Sequence, residues 1–221
     1  MGYPQPPPPA APRHRPLGRL ASPLALLALM WLIRVLDSVL PGSFNGLAQH
    51  AWNPATLLGI FASPLLHSSW AHLIANTVPF LILGCLVAAQ GTARFWYVTL
   101  VATVSAGLGA FVLALPGTVT VGASGLVFGY FGYLLASAVS AAGWAQRLLQ
   151  GGVALLVAAV FGASMLTGLI PRADGISWQA HLCGAAGGVL AAWWIRHRRG
   201  PRRQGPADLD WSEHGARGRL G

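Results

Sequence analysis

The 221-residue chain has no lysine and only five carboxylates, Asp37, Asp174, Asp208, Asp210 and Glu213. Charged side chains make up 9% of it, against about 25% in a water-soluble domain. So little charge cannot solvate a globular surface, and this excludes the ordinary soluble classes. The net charge of +9 does not point to nucleic acid, because ten of the 14 arginines lie before Leu20 or after Ile195. The basicity belongs to two tails, and no nucleic-acid partner is expected. Cysteine is almost absent as well. Cys85 and Cys183 both fall in apolar runs and read as small core hydrophobes, not as a disulfide framework. There is no HExxH sequence and no carboxylate beside the histidines of the apolar segments, so metal chemistry is not expected.

What the chain has in abundance is apolar length, with 54% hydrophobic residues. A bilayer core about 30 Å thick is crossed by roughly 20 helical residues. Six stretches come close to or exceed that length, at 20–40, 73–89, 95–115, 121–142, 151–170 and 176–195. The expected fold class is an all-α membrane protein, a six-transmembrane-helix bundle occupying residues 20–196. Residues 1–19 form an expected disordered Pro- and Arg-rich tail, and 197–221 an expected flexible Arg-rich tail. Residues 20–33 also resemble the apolar part of a signal peptide, but no good cleavage site follows closely, and they are read as the first span. Short connections make consecutive spans antiparallel neighbours. The exception is 41–72, where Phe44, Trp52, Leu57, Leu58, Ile60 and Phe61 are scattered among Gly, Pro, Asn and Ser; it reads as a partly folded interfacial loop. Formal charges within a span are confined to Arg34 and Asp37, three apart in the first and able to pair.

Arginine asymmetry sets the orientation. With the N-terminus in the cytoplasm, Arg13, Arg15, Arg19, Arg94, Arg147 and the seven arginines after Ile195 are inside, while the outer loops hold only Arg172. The positive-inside rule selects this arrangement, with both termini cytoplasmic. A bacterial inner membrane is the expected location.

Polar side chains inside apolar spans cost free energy unless satisfied or used, so they are the functional candidates. His72 and Asn76 open span 2, Ser124 lies three residues into span 4, and His181 five residues into span 6. All three spans run from outside to inside, which places these residues in one layer within roughly 5–8 Å of the outer edge of the apolar core. His72 and Asn76, four apart, share a helical face, whereas His67 falls in the preceding loop and is expected to make a structural hydrogen bond. Gly122, Gly125, Gly129 and Gly132 form one expected stripe beside Ser124, and His181, Gly184 and Gly188 another. Such stripes let helices approach closely, which would bring Ser124 to His181. Taken singly, each feature has a plainer reading: a serine bonded to its own backbone, a structural histidine, glycines that only pack. Packing alone does not require them all at one depth. A serine hydroxyl needs a base to accept its proton, and imidazole is the usual one. Ser124 and His181 fit these roles, with His72, Asn76 and the Ser124 N–H as donors for a developing oxyanion. No acid falls within spans 2, 4 or 6, so the arrangement is a dyad.

His67-x4-His72-x3-Asn76, Gly122-Ala123-Ser124-Gly125 and Ala180-His181-x2-Gly184-x3-Gly188 together resemble the rhomboid family of intramembrane serine proteases, across roughly residues 20–196. The resemblance implies a rhomboid-like six-span bundle and an endopeptidase without metal or cofactor. It would cleave transmembrane protein substrates in or near their membrane segments, with the lipid bilayer as its surroundings. It also implies Ser124 as nucleophile, His181 as base, His72 and Asn76 as oxyanion donors and Gly122 as part of the pocket, with His67, Phe128 and Gly184 in support. Three features depart from the family pattern. The first loop lacks a Trp-Arg pair, Phe128 stands where some members have a tyrosine stacked on the histidine, and Ala88 and Gln90 replace a glutamate near the end of span 2. The rival expectations are a catalytically silent family member that binds client proteins and, more remotely, a small transporter. Oligomeric state is not legible.

Overall fold

A computed structural model of the protein describes residues 16–139 and 177–198, with scattered positions between 143 and 159. Helix α1 (Pro16–Val39) starts inside the expected tail. Proline suits a first helical turn because its missing N–H would be unpaired there anyway, so 16–19 are helical and not disordered. The loop that follows folds in short pieces: 3-10 turns at Phe44–Leu47, Pro54–Thr56 and Ser63–Leu65, a two-residue strand β1 (Gln49–His50) and a single-turn helix α2 (Gly59–Ala62). Helix α3 (Trp70–Ala89) is capped by Ser69, whose hydroxyl accepts the His72 N–H at 3.1 Å. Helix α4 (Thr92–Leu113) follows a tight turn at Gly91, φ +136°. Strand β2 (Val119–Thr120) pairs antiparallel with β1, Gln49 opposite Thr120. This ties the first loop to the approach of helix α5 (Ser124–Val139). The last described helix is α6 (Trp178–Arg198).

Two expected boundaries move. Span 4 becomes helical only at Ser124, because Gly122 adopts φ +109°, a left-handed conformation outside helical geometry that favours glycine. Gly122 therefore leaves the expected stripe, and Ser124 opens the helix instead of lying inside it. Span 6 begins at Trp178 and continues to Arg198, two residues into the expected tail. Most of the expected span 151–170 lies outside the described residues, as do 1–15 and 199–221.

Among the described residues, three helices, over 18–39, 70–89 and 92–113, are long and apolar enough to cross a bilayer, and the protein is an integral membrane protein. Its polarity is arranged accordingly. Met30, Leu73, Phe80, Phe95 and Tyr130 fill the interior, while Leu32, Ile74, Leu100 and Leu190 face outward, each about half exposed. An apolar surface this extensive is suited to lipid.

Glycines bring α5 against α6. A β-carbon at Gly184 would strike the Gly125 carbonyl, one at Gly132 the Ala185 carbonyl, and one at Gly188 the Gly129 carbonyl. Helix α4 closes on the same groove, where a β-carbon at Gly187 would lie 2.6 Å from the Ser105 side chain. Overpacking of this kind costs about 1–3 kcal/mol. Gly188→Ala, which meets backbone that cannot swing aside, should lower thermal stability in detergent by at least that much. Gly18→Ala, in α1 with nothing within 4 Å, should be neutral or stabilising by up to about 1 kcal/mol. Equal unfolding midpoints for Gly188→Ala and the unmodified chain would contradict backbone contact between α5 and α6.

Candidate active site

The site is assembled from three helix beginnings and one loop. Ser124 is the first residue of α5, where helix geometry leaves the N–H groups of the opening turn without intrahelical acceptors. The turn before it is held from the first loop. The Gly122 N–H donates to the Ser63 carbonyl at 2.9 Å, and the Ala123 N–H donates to His67 Nε2 at 3.4 Å. Ser63 in turn accepts the Gln49 N–H on its hydroxyl at 3.0 Å.

His181, in the first turn of α6, projects across the glycine contact, and its Nε2 lies 2.7 Å from Ser124 Oγ. That is hydrogen-bond distance, the reach that transfer of a hydroxyl proton to an imidazole requires. The imidazole is 6% exposed. The Phe128 ring, one turn beyond Ser124, stacks on it with centroids 4.3 Å apart and planes 7° apart. Gly184 carries no side chain between the two helices, as described above.

His72 and Asn76 share one face of α3 and line the same cavity as Ser124 and His181. The His72 ring lies over Gly122 so closely that a β-carbon there would sit 2.6 Å from its Cε1 and Nε2, a second reason for glycine at that position. His72 Nδ1 is 3.2 Å from Ser68 Oγ. When that hydroxyl donates to Nδ1, the ring's other nitrogen carries the proton. Asn76 donates one amide N–H back to the His72 carbonyl at 2.9 Å, and its second N–H is free for other acceptors. The cavity has a volume of about 700 Å³. Gln49 and Thr103 line it too, and Gln49 Oε1 is buried without a partner.

His67 packs edge-on to His72, ring centroids 5.2 Å apart. Its pKa is pushed down to about 4, mainly by burial, with repulsion from His72 and Arg34 adding to the effect against the Leu65 carbonyl. A neutral ring is what an acceptor for the Ala123 N–H must be. Arg34 and Asp37 pair as their spacing suggested, at 2.6 Å, and the pair does more than neutralise itself. Asp37 Oδ1 accepts the Phe44 N–H at 2.6 Å, and Arg34 lies 3.5 Å from the His67 carbonyl and 5.4 Å from the centre of the Trp70 ring.

A sequence model of the Rhomboid domain matches residues 54–198. The chain belongs to the rhomboid family. An uncharacterized protein from Mycobacterium leprae is 35% identical to it over 181 residues, covering 77% of this chain and 68% of that protein. Uncharacterized proteins from Mycobacterium bovis and Mycobacterium tuberculosis are each 33% identical over 178 residues, covering 77% of this chain and 72% of theirs. The rhomboid match begins after α1 and β1, so the Arg34–Asp37 pair and Gln49 lie outside it.

Sequence reasoning missed Ser63, Ser68, Ser69 and Gln49. Ser69 carried a readable signal, a serine immediately before an apolar helix. Gln49 and Ser63 carried none, since neither lies in a periodic segment.

The depressed His67 pKa implies a definite pH dependence. Between about pH 6.5 and 4 the unfolded chain takes up a proton at this position and the folded chain does not. Its contribution is complete above about 6.5 and is lost as pH falls towards 4, by about 3 kcal/mol in all. His67→Gln, which retains an acceptor for Ala123, should flatten the stability slope in that window relative to the unmodified chain. An unchanged slope in the variant would refute the assignment of a buried neutral imidazole.

Proposed function

We propose that this rhomboid protein is an intramembrane serine endopeptidase that cleaves membrane proteins in or near their transmembrane segments. The reading rests on one observation above all, the 2.7 Å approach of Ser124 Oγ to His181 Nε2 inside a cavity large enough for an extended peptide segment. His181 accepts the serine proton as Oγ attacks the scissile carbonyl. It then returns that proton to the departing amine, and water, deprotonated by the same imidazole, hydrolyses the acyl-enzyme. Charge developing on the carbonyl oxygen is met by His72, the second Asn76 N–H and the first-turn N–H groups of α5, which lack intrahelical acceptors.

The accompanying architecture is six spans with both termini cytoplasmic and the dyad near the outer face of a bacterial inner membrane. The arginine distribution supports this orientation. Transmembrane proteins are the substrates, and neither metal nor cofactor takes part.

A fluorophosphonate probe tests the proposal directly. Labelling of the purified chain should vanish in Ser124→Ala and fall sharply in His181→Ala, and cleavage of model transmembrane substrates should disappear in both. A folded sample that neither labels nor cleaves would favour a silent, client-binding member of the family.

Asn76→Ala should lower turnover by about 100-fold, the scale of losing one oxyanion donor, with little change in unfolding midpoint. Stability and activity lost in parallel would mark Asn76 as a packing residue instead.

A further inference from the structure

At the end of the bundle away from Ser124, a second cavity of about 370 Å³ opens between α4 and α6. Its walls are Ala93, Arg94, Tyr97, Trp194, Ile195 and Arg198. Arg94 is in the first turn of α4 and Arg198 at the last residue of α6, whereas His72 and His181 begin α3 and α6. With a rise of about 1.5 Å per residue, the two cavities are separated by close to a membrane thickness.

Among the described residues, no carboxylate compensates the charge in this second cavity. Asp37 is the only carboxylate among the described residues, and it is paired with Arg34 near the other end of the bundle. Arg94 Nη1 donates to a neutral acceptor, Gln90 Oε1, at 2.8 Å, and the Arg198 guanidinium lies 4.9 Å from the centre of the Trp194 ring. Neither contact brings negative charge, and a guanidinium has five N–H donors, so each arginine retains donors for an anion. Gln90 Oε1 also accepts the Tyr133 hydroxyl at 2.8 Å, which holds Arg94 in place from α3 and α5. The remaining walls are apolar or amphipathic. Tyr97 and Trp194 have the character of side chains that sit where acyl chains meet headgroups, and Leu100 and Leu190, further along the same helices, face outward.

Two fixed cations, two amphipathic rings and an apolar path leading off along the helices describe a molecule with a phosphate at one end and hydrocarbon at the other. We infer that this cavity binds the headgroup of an anionic phospholipid, the phosphate diester between Arg94 and Arg198 and the acyl chains lying along the outer faces of α4 and α6. A zwitterionic headgroup would bring its own ammonium against two guanidiniums and is disfavoured. The inference is independent of the proteolytic reading.

Native mass spectrometry of the purified full chain, given dioleoyl phosphatidylglycerol and dioleoyl phosphatidylcholine in equal amounts, tests it. Phosphatidylglycerol should be retained preferentially. Arg94→Gln and Arg198→Gln should each reduce that preference by about fivefold. Arg19→Gln should leave it unchanged, since Arg19 lies at the same end, bonded to the Ala89 carbonyl at 3.0 Å, outside the cavity. Equal retention of the two lipids would overturn the assignment. So would an Arg19→Gln loss as large as that of Arg94→Gln, which would reduce the effect to general charge attraction. Glycerol phosphate supplied without acyl chains should fail to displace the lipid at millimolar concentration. If it displaces it completely, the site belongs to a soluble phosphate compound.

Discussion

The contact on which the rest of the structure depends is the meeting of two helix backbones, α5 and α6, without side chains between them. In a bilayer no hydrophobic force drives one apolar helix against another, so association rests on close packing. Gly125, Gly129 and Gly132 on one side and Gly184, Ala185 and Gly188 on the other permit an approach that any larger residue would prevent. His181 lies one turn before Gly184 on the same face, and Ser124 directly precedes Gly125. The distance between Oγ and Nε2 is therefore set by the helix contact, and side-chain flexibility has little part in it.

The first loop completes what the helices begin. It takes up the N–H groups of Gly122 and Ala123, the first through the Ser63 carbonyl and the second through His67 Nε2. The next N–H groups in sequence, beginning with that of Ser124, belong to the opening turn of α5, which offers them no intrahelical acceptors. A loop that only covered the site would not need this register. The Arg34–Asp37 pair extends the same support to α1, with Asp37 holding the loop backbone at Phe44 and Arg34 placed between Trp70 and His67. An ion pair at a membrane interface contributes little energy by itself, but this one fixes the position of the segment that holds the turn before Ser124.

Hydropathy and spacing made the described helices legible, and with them the gathering of His72, Asn76, Ser124 and His181 at one cavity, because the rise of about 1.5 Å per residue converts residue count into position along a helix. They did not show where α5 begins. Val121, Gly122 and Ala123 look apolar enough to extend the span, and a left-handed φ at one glycine leaves no trace in hydropathy. Pro16 misled for a related reason: in a proline-rich stretch it looks like part of a disordered tail, although a lone proline at a helix start is favourable. The loop pieces were illegible in kind. Gln49 and Ser63 act through backbone groups of residues far away in sequence, and no local pattern encodes such a partner. The departure at Gln90 was visible as a missing glutamate, but its replacement, an amide oxygen receiving both Arg94 and Tyr133, emerges only when three helix ends are seen together.

On the proteolytic reading, a dyad in place of a triad follows from the solvent. In aqueous serine hydrolases a buried carboxylate holds the histidine in its working orientation and stabilises the imidazolium. Beneath a membrane surface a carboxylate would have to be removed from water at a cost of several kcal/mol. On the proteolytic reading, orientation is supplied by shape. Phe128 lies flat against His181 at 7°, the imidazole is almost wholly enclosed, and rotation about its last torsion would drive it into the aromatic face. Stacking needs only a ring, so phenylalanine can serve where some members of the family have tyrosine. Part of the stabilisation that an acid would give to the protonated histidine is available from the aromatic face itself, since a π-face attracts a cation more strongly the less water surrounds it.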